Sequence, residues 1–201
     1  LWDLSSQWER DASTEWELWS ADSDLNHERI DQALALDEDQ PEAAFRLLCE
    51  AADAGSAWAM EQVGDRLETG RGTAVDVDRA LDYYNRAIGA GSWTATLEVA
   101  RLLVEQERFD EAEAMLEQGL AGGFVPAFFW LAWYRYKRSP TPATGREVRP
   151  LLIHAADQGH PGAKLILARW MARGRFGVRE IPAGWKQLLW LSREMSAAPA
   201  A

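Results

Sequence analysis

Apolar residues recur along this chain at intervals of three and four, separated by polar ones, and the interval resets at a few glycines. In Asp76 to Ile88, the residues Ala80, Leu81, Tyr84, Ala87 and Ile88 fall on one side of a helix. Gly91 supplies the left-handed residue that ends such a helix, and Ser92 can cap the next one. The same arrangement returns in four segments of the form Ala/Gly, three residues, Gly, three residues, Ala: Ala51-Gly55-Ala59, Ala87-Gly91-Ala95, Gly119-Gly123-Ala127 and Ala155-Gly159-Ala163. Their central glycines lie 36, 32 and 36 residues apart. Nine residues after each glycine stand Gly64, Ala100, Ala132 and Ala168, and eleven before it stand Ala44, Ala80, Ala112 and Val148. Small residues at fixed points let neighbouring helix backbones approach closely. Self-similarity at this period is the mark of stacked helical hairpins.

The pattern predicts an all-α chain, an α/α superhelical solenoid of about four helix-turn-helix repeats with terminal capping helices. Residues 26 to 54 read as a first, degenerate hairpin, with Ile30, Ala33, Leu34 and Leu36 before a turn at Asp37 to Gln40. Pro41, Pro126, Pro161 and Pro182 are placed to open helices, where the missing N–H costs nothing. Ser139 to Gly145, SPTPATG, reads as a loop. Three parts result: an acidic, Trp-rich capping or docking segment at 1–24, the repeat array at 25–195, and a tail at 196–201.

The run Gly70-Arg71-Gly72, Val75-Asp76, Ala80, Tyr83-Tyr84, Ala87, Gly91, Ala95 resembles the Sel-one-like repeat (SLR), a relative of the tetratricopeptide repeat. The resemblance covers roughly residues 41 to 191. The last unit repeats the glycine turn as Gly174 and Gly177-Val178, whereas Glu105 to Asp110 forms a turn without glycine and resembles an ordinary tetratricopeptide hairpin. The resemblance implies a superhelical adaptor without catalytic activity of its own. It also implies a bacterial protein of the cytoplasm or periplasm, acting in envelope or secretion assemblies.

Composition narrows this picture in three ways. With 47% hydrophobic and 26% charged residues the chain is an ordinary globular sequence. It has no apolar run approaching the ~20 residues of a membrane span and no leader-like sequence. One cysteine, Cys49, excludes an intrachain disulfide; set among Phe45, Leu47, Leu48 and Ala52, it reads as a small buried thiol. The net charge of −11 is unevenly spread: residues 1–55 hold 15 acids and 3 bases, residues 130–180 hold 3 acids and 10 bases. The acidic total disfavours nucleic acid as partner, while the basic end suits an anionic one.

If first helices line the concave face, as in tetratricopeptide arrays, the register places Arg101, Trp133, Tyr136, Lys137, Arg169 and Arg173 on one surface. Arginines beside aromatic rings favour partners with carboxylate or aromatic groups, so this stripe is the candidate groove for a protein or peptide. Trp133 and Tyr136 read equally well as packing residues. A second candidate is the N-terminal segment, whose Trp2, Trp8, Trp16 and Trp19 either cover the first repeat or dock into a partner or another copy.

Sites for chemistry are sparse. His154 and His160 flank Asp157, but at neither a metal-binding nor a triad spacing; these two histidines and His27 read as helix-terminal groups. Gly70-Arg71-Gly72-Thr73 lacks the Lys-Ser/Thr ending and the preceding strand of a phosphate loop. Glu111 and Glu113 point to different helix faces. No catalytic residue, metal site or cofactor is assigned. The functional expectation is a non-catalytic interaction scaffold. Two alternatives stand beside it: an inhibitory or immunity-type partner of a toxin or enzyme, and a carbohydrate binder using Trp58, Trp93, Trp130 or Trp170 as exposed platforms.

Overall fold

A computed structural model of the chain describes residues 26–197. The proposed docking residues Trp2, Trp8, Trp16 and Trp19 lie outside them, as does the tail beyond Ala197. Ten α-helices and no strand occur among the described residues: α1 His27–Leu36, α2 Pro41–Asp53, α3 Ala57–Thr69, α4 Val77–Gly89, α5 Thr94–Glu105, α6 Phe109–Ala121, α7 Val125–Arg138, α8 Pro142–Asp157, α9 Pro161–Ala172 and α10 Ile181–Ala197. They pair in sequence as five hairpins. The degenerate first pair and the last pair are both complete, which brings the array to one hairpin more than the glycine count suggests. The described residues form two compact units, divided between Met115 and Leu116.

One turn geometry joins each hairpin to the next. The glycines 55, 91, 123 and 159 have φ of 100°, 101°, 80° and 104°, a region closed to most side chains. The amide after each glycine donates to the carbonyl five residues back: Ser56 to Ala51 at 3.1 Å, and Ser92 to Ala87, Phe124 to Gly119 and His160 to Ala155, each at 2.9 Å. This is the bond that closes a Schellman motif. The same residue then starts the following helix. Ser56 and Ser92 Oγ accept the amides of Ala59 and Ala95 at 3.1 Å, and His160 Nδ1 accepts that of Ala163 at 3.2 Å. Phe124 offers no such cap and is instead fully buried. Ending one helix and starting the next thus consume two adjacent residues.

All sixteen small-residue positions of the four columns are buried. Close approach is the reason for their size. A Cβ built on Gly64 would lie 2.8 Å from the Tyr84 ring, and one on Gly119 2.8 Å from Ala127 Cβ. Tyr84 belongs to a further buried column, seven before each glycine, filled by Leu48, Leu116 and Leu152 elsewhere. Large residues from the second helix therefore fill the gaps that small ones leave in the first.

One turn inside a hairpin differs from the sequence reading and another matches it. The loop expected at 139–145 shrinks to Ser139–Thr141, because Thr141 Oγ1 accepts the Thr144 amide at 3.1 Å and Pro142 opens α8. The glycine-free turn after α5 places Glu107 at φ 61°, the only non-glycine with positive φ among the described residues. The glycine turn after α3 is held by contact as well as conformation: Gly72 has φ 74°, and a Cβ there would overlap the Pro41 carbonyl at the start of α2.

These turns yield two expectations for urea unfolding. Gly72→Ala adds backbone strain and a collision with main chain, and should destabilise by about 2–4 kcal/mol. Glu107→Gly relieves a left-handed side-chain clash, partly offset by a freer unfolded chain, and should raise the midpoint by about 0.5–1 kcal/mol equivalent with an unchanged slope.

Candidate partner-binding cleft

The six stripe residues fall in different surroundings. Arg101, in the first unit, is committed to carboxylates: Glu68 at 2.6 Å, Glu98 at 2.9 Å and Glu105 at 3.0 Å. Desolvation works against its charge, but the hydrogen bond to Glu68 and the charges of Glu98 and Glu68 outweigh it and hold the guanidinium above its ordinary pKa. Burial pushes the Glu98 carboxyl up, against the pull of Arg101. Burial likewise raises Asp65, with the neighbouring Glu68 adding to the effect. This cluster joins α3 to α5 and leaves Arg101 no idle hydrogen-bonding edge.

In the second unit, Trp133, Tyr136, Arg169 and Arg173 line one cleft of about 480 Å³ with Trp170 and Arg175. α7 supplies one wall and α9 the other. Tyr136 is 9% exposed and Trp170 5% exposed, their ring centroids 4.2 Å apart, so this aromatic wall is core that shows one edge to the cleft. Trp133 is half-buried, whereas Arg169 in the last turn of α9 and Arg173, the residue that caps its C-terminal end, are exposed. Neither forms an ion pair among the described residues, and no carboxylate lines the cleft. Lys137 is exposed on α7 but does not line it.

Arg175 was not singled out by the repeat columns. Its guanidinium lies 5.0 Å from the Tyr136 ring centre and 5.6 Å from that of Trp170. A signal for it exists in the sequence, because Gly174-Arg175 repeats Gly70-Arg71. Arg71 reaches back to the previous first helix in the same way, meeting Asp37 at 2.5 Å at the end of α1. Arg66, its side chain 5% exposed, meets the same carboxylate at 2.5 Å.

Other candidates are absorbed by structure. His160 is fully buried, caps α9 and stacks on Phe129 with centroids 4.2 Å apart, while His154 packs on Phe128 at 4.2 Å. Glu111 pairs with Arg108 at 2.7 Å, and that hydrogen bond holds its carboxyl below the usual range. Cys49 is half-buried, and burial pushes its thiol pKa up. Trp170 is buried, and Trp58, Trp93 and Trp130 are only partly exposed, so none presents the open ring face that a sugar platform requires. Among the described residues no group of three or more His, Cys, Asp or Glu is placed to hold a metal ion, and no helix is long and apolar enough to cross a membrane.

No family model and no curated protein matches the chain. Solved structures do. A Sel1 repeat protein from Oxalobacter formigenes is 16% identical, with 88% of this chain and 76% of that one covered and a TM-score of 0.67. A protective antigen of uropathogenic Escherichia coli with an SLR fold is 15% identical at a TM-score of 0.65, covering 83% of this chain but only 38% of its own length. An immunity protein from Pseudomonas aeruginosa is 18% identical at a TM-score of 0.50, with 73% and 58% covered. At such identities the likeness is one of fold. Together with the helix pairing, it shows an all-α helical-repeat solenoid whose fold is like that of solved Sel1 repeat proteins.

Proposed function

We propose that the protein is a non-catalytic interaction scaffold, and that the cleft between α7 and α9 receives a peptide segment carrying carboxylate and aromatic side chains. The observation that supports this reading most is that, among the described residues lining the cleft, three arginines stand on an aromatic wall with no acidic residue. A carboxylate entering there meets the planar donors of Arg169 and Arg173, which suit paired hydrogen bonds. An aromatic side chain finds Trp133 and the edge of the Tyr136–Trp170 pair. Arg101 has no part in this site, since its donors are already engaged.

A second reading is favoured by the charge of the first unit, where residues 26–115 carry 20 Asp and Glu against 8 Arg. An acidic surface of this kind suits masking of a basic toxin or enzyme, and the Pseudomonas neighbour is named an immunity protein. It calls for a tight one-to-one complex with steep salt dependence, whereas the scaffold reading calls for weaker binding of extended segments.

Short labelled peptides rich in Asp, Glu, Phe and Trp, with Lys-substituted controls, test the cleft. Arg169→Ala/Arg173→Ala should weaken binding about 10- to 100-fold, as the loss of one or two charged hydrogen bonds implies, and flatten its salt dependence while leaving the melting temperature unchanged. Arg101→Ala should do the reverse, lowering the melting temperature by a few degrees with affinity intact. Undiminished binding by the double variant removes the proposed site.

A further inference from the structure

Successive second helices touch through fixed positions. Asp53, two before its turn glycine, accepts from Arg86 of the next second helix at 2.9 Å, and Cys49, six before, lies beside Tyr83 of that helix. One turn earlier on the same face, ten before the glycine, Arg149 reaches Glu180 ahead of α10 at 2.9 and 2.7 Å. Positions two, six and ten before the glycine therefore face the following hairpin. α10 carries the same register. Gly184 stands ten residues after Gly174, as Ala80 does after Gly70, and it is buried so tightly that a Cβ would overlap the Ala172 backbone. Trp185 then takes the position of Arg149 and Leu189 that of Ile153. These two are 57% and 59% exposed. The face that α2 and α8 turn toward the next hairpin is, on α10, apolar and open.

Its rim is basic. Arg179, Lys186 and Arg193 are exposed around it, and residues 116–201 carry 12 Lys and Arg against 5 Asp and Glu. A hairpin of opposite charge exists in the chain itself: residues 26–53 hold 8 acids and 2 bases, and α1 exposes Leu34 at 49% with Glu28 and Asp31 beside it. We propose that the Trp185–Leu189 face of α10 docks the α1–α2 hairpin of a second copy of this chain, head to tail. Exposed Trp185 and Leu189 supply the contact surface, and charge selects the acidic end to cover it. Two α10 faces brought together would instead oppose Arg179, Lys186 and Arg193 with their own counterparts. A head-to-tail contact uses two different surfaces, so it propagates beyond a dimer unless it closes into a ring.

Sedimentation of the full chain across rising concentration tests this. The mass should climb from one chain toward several and fall back in high salt. Trp185→Asp/Leu189→Asp spoils one end and Asp31→Lys/Leu34→Lys the other; all four sites are exposed, and an unchanged helical circular dichroism spectrum checks the fold. Each variant alone should be monomeric, and an equimolar mixture should stop at two chains, because one intact head meets one intact tail. A wild-type chain that stays monomeric throughout, an α1 variant that still self-associates, or a mixture that stays monomeric would each overturn the proposal.

Discussion

Everything in this fold depends on how closely adjacent helices approach at the four small-residue columns. Each column admits nothing larger than alanine or valine, and each is matched by a bulky residue seven before the turn glycine: Leu48, Tyr84, Leu116 or Leu152. Helix separation and ring or branched side chain thus determine one another. The Schellman glycine and the capping residue behind it fix the angle at which the next helix leaves. Packing and turn then favour the same arrangement, the agreement between local and global preference that gives a sequence one structure. Variation is tolerated where only one of the two is involved. The capping position accepts Ser, Phe or His, provided it is buried, whereas the glycine and the alanine four before or after it hardly change.

Much of this was legible from spacing alone. Column periodicity reports backbone register, and register decides burial, so Ala44, Ala80, Ala112 and Val148 could be placed in the core without coordinates. The capping role of Ser92 followed from its place after Gly91. Loop lengths were harder to read. Ser139 to Gly145 has the composition of a loop, yet Thr141 and Pro142 are also an ideal helix start, and the helix won. The end hairpins are legible from other marks, the first from Ile30, Ala33 and the turn at Asp37–Gln40 and the last from the Gly174 and Gly177 turn, because the last has no column glycine at its far end.

The candidate site was only partly readable, and the reason is electrostatic. Register put Arg101 and Arg169 in the same column, which is correct for their backbones, but a column says nothing about what lies within reach of a guanidinium. Arg101 has Glu98 one turn before, Glu105 one turn after and Glu68 across on α3. Arg169 has Ile166 and Arg173 at the corresponding places in its own repeat. Identical placement therefore yields a neutralised structural cation in one repeat and, among the described residues, a cation without a carboxylate partner in another. Fold and site separate at this point, as they do wherever one scaffold carries different surfaces.

The two glycine-arginine turns carry the same argument further. Arg71 and Arg175 perform one mechanical task, tying a hairpin to the first helix before it. Arg71 does so through the Asp37 carboxylate, which it shares with Arg66, so the charge of that tie is partly cancelled within the contact. Arg175 does so over Tyr136 and Trp170, and an aromatic quadrupole attracts a cation without neutralising it. Holding the fold together with rings in place of acids leaves the field of Arg175 to add to those of Arg169 and Arg173 at the mouth of the cleft. The basic character of this site is then a by-product of how its repeats are joined.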